Sequence, residues 1–202
     1  FKEQEGSYLA GVMAAMAAKS NKVGFVGGMD IPLIHKFACG YVGGVKSIKK
    51  DAEVLQQYTG TDYTAWNDPV KGGEITKSQI AQGADVVYHA AGGTGVGVLQ
   101  AAAEAGKLGI GVDSNQNGLQ PGHVLTSMMK RVDVAVYNAF NDVKDGKFKA
   151  DIENLGLKEE GVDVAMDDNN KALVTPEMAA AVEKAKKDII SGAVEVHDYM
   201  AD

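Results

Sequence analysis

The chain has 202 residues, 45% of them apolar, 23% charged and 6% aromatic, and its 20 Lys and Arg against 27 Asp and Glu leave a net charge of −7. This composition excludes collagen-like, disordered and disulfide-stapled chains, and the acidic balance argues against non-specific nucleic-acid binding. One cysteine, Cys39, allows neither an internal disulfide nor a multi-cysteine zinc site, and Gly, Lys or Asp interrupts every apolar stretch before the ~18 residues of a membrane helix.

In chain order, Tyr8, Leu9, Val12, Met13 and Met16 form the apolar stripe of an amphipathic helix that Ser20-Asn21 ends. Lys22 to Gly28 reads as a short buried strand leaving through a glycine turn. A second helical stripe runs through Ile34, Phe37, Ala38, Tyr41, Val42, Val45 and Ile48. Ala52 to Tyr58 is a strand, Thr59 to Pro69 a loop, and Val70 to Gln82 a helix. Asp85 to Ala90 is the next strand, and Ala91-Gly92-Gly93-Thr94-Gly95 turns into a helix ending near Gly106. Lys107 to Val112 is a strand that delivers Asp113 at its carboxyl end. His123 to Met128 is a further strand and Val132 to Val143 a helix closed by Gly146. Asp151 to Asn170 is polar and irregular. Thr175-Pro176-Glu177 combines an N-cap, an N1 proline and a first-turn acid, and so starts a last helix reaching Ser191-Gly192.

Strands alternating with helix-length crossovers predict an α/β fold with a parallel sheet and right-handed connections. Ligands of such sheets bind outside the carboxyl ends of the strands. Those ends carry Gly27 to Asp30, His89 to Gly95, and Asp113 to Gln116.

The run Gly92-Gly93-Thr94-Gly95-Val96-Gly97 has the wrong last spacing for a dinucleotide fingerprint, and no Gly-Lys-Ser/Thr follows to make a P-loop. It is either a tight turn with close helix packing or a turn whose N–H groups face a polar ligand. Asp113 either caps its turn or accepts hydrogen bonds from a vicinal diol such as a ribose. Phe37 is either core or a ring offered to a flat ligand, and Lys130 either solvated or a ligand contact. Trp66, beside Asp68-Pro69, reads as a loop anchor. The four histidines show no zinc spacing, and neither Ser114 nor Ser127 sits in a G-x-S-x-G elbow. Nothing in the sequence reads as catalysis.

Several stretches together carry a family resemblance: Phe1 to Gly11, Lys22 to Gly28, Phe37 to Tyr41, Trp66 to Pro69, Gly83 to Val87, Ala90 to Gly95, and Thr126 to Lys130. In this order they resemble the basic membrane protein family, the purine-nucleoside-receptor-like solute-binding proteins of ABC importers, often lipoproteins. The resemblance implies a type I periplasmic-binding fold, in which two Rossmann-like lobes clamp a nucleoside between them. Phe37 then matches the aromatic that stacks on the base, and Gly92 and Gly93 fall in the glycine turn facing the ligand. Asp113 matches the carboxylate on the ribose hydroxyls, and Lys130 the lysine reaching the ligand. His35 and Cys39 flank Phe37 where the resemblance implies an arginine and an acidic residue.

It also implies about 100 further residues upstream, the size of one lobe. Residues 1–128 and 150–202 would form the second lobe, and 129–149 a crossover and helix belonging to the first. The expected partners are a small nucleoside and an ABC permease. The location is periplasmic or cell-surface, with membrane contact only through an upstream lipid anchor. No cofactor and no metal are expected, and a chain with its crossover helix uncovered would self-associate. The alternatives are a nucleoside-acting enzyme or a regulatory sensor on the same fold. Against the enzyme stand the missing acidic metal cluster of a hydrolase and the missing G-x-G-x-x-G of a dehydrogenase. Fold alone decides nothing here.

Overall fold

The computed structural model describes residues 1–201. Six strands form one sheet: β1 (Lys22–Met29), β2 (Glu53–Gly60), β3 (Val86–Ala90), β4 (Leu108–Asp113), β5 (Val124–Lys130) and β6 (Val162–Val164), in the order β2-β1-β3-β4-β5-β6. The first five run parallel, and β6 joins β5 antiparallel with Met128 opposite Val164. From β1 the chain first steps to one side, to β2, then across to β3 and onward. This reversal of winding opens a crevice between the carboxyl ends of β1 and β3.

Helices cover both faces, as a parallel sheet buried on both sides requires. On one face lie α1 (Glu3–Ala17), α2 (Pro32–Ile48) and α6 (Pro176–Ile190), packed over Phe25, Tyr88, Ile110 and Met128. On the other, α3 (Pro69–Ala81) and α4 (Gly95–Glu104) cover a smaller cluster of Val26, Val87 and Val98. Phe25 and Val26 are neighbours in β1 and enter opposite clusters, which is the period-two alternation of a strand. The helices α1 and α2 pack backbone to backbone. A Cβ on Gly40 would stand 2.1 Å from the Gln4 carbonyl, and one on Gly44 2.0 Å from that of Tyr8, so neither position accepts a larger residue.

The structure differs from the sequence reading in four places. Helix α1 starts at Glu3, five residues before the apolar stripe, because Glu3, Gln4 and Ser7 are buried polar residues that the stripe does not register. The loop 59–69 contains a 3-10 turn, Tyr63–Trp66, capped by Asp62. Strand β5 continues to Lys130, since β6 pairs with it there. The stretch 151–170, read as irregular, contains that partner strand. β6 has three residues, and its central Asp163 faces Lys186 at 2.5 Å, so nothing local marks it as a strand.

A last helix, α5 (Val132–Lys144), leaves β5, and every one of its residues is exposed or half-exposed. Its Val136, Tyr137, Phe140 and Val143 are 49–72% exposed.

Candidate functional site

At the winding reversal lies a cavity of about 170 Å³, lined by Leu33, Ile34, Phe37, Trp66, Ala90, Gly92, Val112, Asp113 and Lys130. Each strand end supplies one part of it. Pro32 at the first turn of α2 starts that helix directly after β1, which brings Leu33, Ile34 and Phe37 to the rim. Phe37 is 3% exposed, so one ring serves both the core and the cavity wall. The two readings of this residue are not exclusive.

Trp66 follows β2. Thr94 Oγ1 donates to the Ala65 carbonyl at 2.8 Å and accepts from the Asp68 N–H at 2.7 Å, stapling the Trp66 turn to the glycine turn. Thr59 Oγ1 adds a second donor to the same carbonyl at 2.9 Å. The indole lies on Gly28, where a Cβ would stand 2.2 Å from its ring. Only glycine fits beneath it.

The glycine run divides by role. Gly92 takes φ 55° and lines the cavity. Gly93 is not among the lining residues; a Cβ there would meet the Trp66 carbonyl at 3.2 Å and Asn67 Oδ1 at 3.3 Å. Gly95 and Gly97 are packing positions, over the His89 ring and the Pro69 carbonyl respectively. For those two the tight-turn reading holds. Beneath them His89 is fully buried, and its Nε2–H donates to Gln116 Oε1 at 2.9 Å, which also accepts from the Val112 N–H at 2.9 Å. Burial pushes the imidazole down to about 4, with the Gln116 bond opposing, so it is neutral.

Asp113 sits at the end of β4 with φ 65°, a left-handed conformation that costs a non-glycine residue energy and concentrates at functional sites. The turn beyond it is held by Asn115 and Gln116: Asn115 Oδ1 accepts from the Asn117 N–H at 3.0 Å, and the Gln116 N–H donates to Ser127 Oγ at 2.9 Å. The turn is therefore made by its neighbours. The Asp113 side chain is 56% exposed and has Lys130 Nζ 3.8 Å away. Partial desolvation raises the pKa of its carboxyl above the ordinary value, the nearby Lys130 charge pulls it down, and Glu3 pushes it up. Half of the side chain meets water, which screens these charges.

Lys130 is 23% exposed at the end of β5, and its Nζ lies 3.5 Å from Glu3 Oε1 and 5.5 Å above the Phe1 ring. Four of the five residues singled out from the sequence, Phe37, Gly92, Asp113 and Lys130, thus share one cavity. Trp66, which lines the cavity, and Glu3, which meets the lining residue Lys130, were not foreseen. For Trp66 a signal existed, since it is the single tryptophan and follows a strand's carboxyl end. Glu3 carried none, because its distance from Lys130 along the chain hides the contact.

A larger groove of about 760 Å³ runs between α5, the segment 147–153 and Phe1. It shares no lining residue with the strand-end cavity, and one of its walls is a helix without buried residues. Among the described residues no three His, Cys, Asp or Glu are grouped as metal ligands. No helix of the described residues is long and apolar enough to cross a membrane.

A winding-reversal crevice with aromatic walls, a glycine turn and an acid–lysine pair defines the class of α/β small-molecule binding proteins. Residues 1–198 match the family model for Bmp, the PnrA-like ABC transporter substrate-binding proteins, and the chain belongs to that family. It is 41% identical to the ABC transporter nucleoside-binding protein BmpA of Lactococcus lactis subsp. cremoris, over 97% of this chain and 58% of that protein. Identity is also 41% to an uncharacterized lipoprotein of Pyrococcus abyssi, over 80% of this chain and 42% of that protein. The crystal structure of an ABC transporter solute-binding protein from Aeropyrum pernix superposes with a TM-score of 0.85 at 30% identity, covering 100% of this chain and 68% of that one. The fold is that of the periplasmic solute-binding proteins. The chain spans about half the length of the curated relatives it matches.

Proposed function

We propose that the chain is one lobe of an extracytoplasmic receptor that captures a purine nucleoside for an ABC importer. The observation that carries this reading is the single cavity shared by a flat aromatic, a glycine turn, a carboxylate and an ammonium. Phe37 offers its ring to the base, and Trp66 walls the site beside Gly92. Asp113 accepts from the 2′ and 3′ hydroxyls, and Lys130 donates to a ligand oxygen. The chemistry is capture by closure, with no bond made or broken.

At about 170 Å³ the cavity is smaller than the roughly 300–1,000 Å³ of ligand pockets, so these walls cover one side of a nucleoside. A second lobe would supply the other. In this reading residues 1–128 and 150–202 form the lobe described, while 129–149 cross to its partner. The exposed apolar side of α5 supports that division, as does the greater length of the relatives. Two relatives' names, a nucleoside-binding protein and a lipoprotein, support the ligand class and a lipid-anchored location outside the cytoplasmic membrane, with an ABC permease as partner.

Calorimetry of the full-length protein with adenosine, adenine and ribose tests the reading. Adenosine should bind tightest, and the 202-residue chain alone should bind it weakly. Equal affinity for adenine and adenosine would remove the ribose role from Asp113. A preference for hexoses would overturn the ligand class.

A further inference from the structure

We propose that Glu3 is a positioning residue for the strand-end cavity: its carboxylate holds the Lys130 ammonium back from Asp113 and so leaves the Asp113 oxygens open to ligand. The proposal rests on the nucleoside reading of that cavity.

Glu3 is 4% exposed, in the first turn of α1, where it is the one charged residue of the helix that is buried. A first-turn acid suits the helix dipole, but an exposed one would serve equally. Burying a carboxylate is costly unless cations face it, and here two do. Lys130 Nζ lies 3.5 Å from Oε1, and Lys36 Nζ lies 3.4 Å from Oε2. Among the described residues Oε2 has no hydrogen-bond partner, so the Lys36 contact is ionic and poorly aligned. Lys36 is itself 7% exposed; it donates to the Phe1 carbonyl at 3.0 Å and faces Asp198 at 3.5 Å.

The result is a chain of charge, Asp198–Lys36–Glu3–Lys130–Asp113, with three acids, two cations and its open end in the cavity. Lys130 hangs between two carboxylates at 3.5 and 3.8 Å, both beyond the 2.7–3.2 Å of a formed hydrogen bond. Were Glu3 neutral, Lys130 would close on Asp113 and satisfy it internally. Competition from Glu3 leaves the surplus negative charge at the mouth, where the hydroxyls of a diol can meet it.

The groups facing this pair are Lys130 on β5, Lys36 on α2, Tyr88 on β3 and Asp198 in the C-terminal tail. Two measurements decide the matter. In the 202-residue chain, carbon NMR of the Asp113 carboxyl should show its titration midpoint moving down in Glu3→Gln and up in Lys130→Met. In the full-length protein, Glu3→Gln should weaken adenosine binding by about tenfold, the scale of one bond to a charged group. Glu3→Asp should recover part of that loss, and Glu3→Gln added to Lys130→Met should cost nothing more.

A purely structural Glu3 would lower the melting temperature and leave both the Asp113 midpoint and the affinity of the folded protein unchanged. Losses that add in the double variant would likewise overturn the proposal. If the wild type binds no nucleoside, the functional reading falls, while the Asp113 titration still decides whether Glu3 governs the pair.

Discussion

Phe37 and Asp113 face the same cavity, but a substitution at each acts on a different quantity. Phe37 is a core residue at 3% exposure, so Phe37→Ala should cost about 3–5 kcal/mol of stability through cavity creation as well as weakening binding. Asp113 is more than half exposed in a left-handed conformation, which Asn tolerates as readily as Asp. Asp113→Asn should therefore melt close to the wild type yet lose about 1.5–3 kcal/mol of nucleoside affinity, because the carboxylate bonds are charge-assisted. Melting temperature and affinity measured on the same samples separate the two. An Asp113→Asn variant that binds like the wild type would remove the carboxylate from the site, and a Phe37→Ala variant with unchanged melting would remove Phe37 from the core.

The helices α1 and α5 are both amphipathic in sequence, and the structure treats them in opposite ways. α1 is packed between α2, α6 and β5, whereas every residue of α5 is exposed or half-exposed. A helix of 13 residues is marginal when its apolar side finds no partner. Amides of Val132–Lys144 in this chain should accordingly exchange with solvent orders of magnitude faster than those of Leu9–Met13, a contrast that hydrogen-exchange mass spectrometry reads directly. Equal protection would mean that α5 is covered in solution, which a second copy of the chain would explain. The same contrast marks what sequence can carry. Strand β1 was legible as a short apolar run leaving through the glycines Gly27-Gly28, and α6 because Thr175 and Pro176 are local start signals. That Phe37, Gly92, Asp113 and Lys130 lie around one cavity was legible because the family resemblance assigns all four to the ligand. What stayed hidden depends on distant partners: β6 exists only through its pairing with β5, and Glu3 is buried only because Lys36 and Lys130 meet it.

Over the whole molecule, backbone ladders and two apolar clusters hold the sheet, and a few polar side chains link its stability to pH. Asp85 accepts from the N–H groups of Lys19 and Ser20 at 2.8 and 2.6 Å and pairs with Lys107 at 2.6 Å, tying the α1–β1 link to the start of β4. Burial pushes its carboxyl up, but the Lys107 ammonium and the hydrogen bonds outweigh it and hold the group at about 2. Its contribution is present above the ordinary carboxylate range and fades as pH falls through about 2. His89 acts earlier. Its imidazole stays neutral in the fold down to about pH 4, whereas an unfolded histidine protonates near 6.5. Between those values the unfolded chain binds the extra proton, so stability rises with pH across that window. It is complete above about 6.5 and lost on acidification toward 4, by roughly 3 kcal/mol in full. Because His89 lies under Gly95 and holds Gln116, which also accepts from the Val112 N–H, this loss starts beside the carboxyl end of β4. Urea unfolding at pH 7, 5.5 and 4.5 should show the midpoint falling at each step. His89→Gln keeps a donor for Gln116 without a titrating ring, and should be less stable at pH 7 but nearly flat over the same range. A wild type equally stable at pH 7 and 4.5 would show that the buried imidazole is not the group that sets the acid limb.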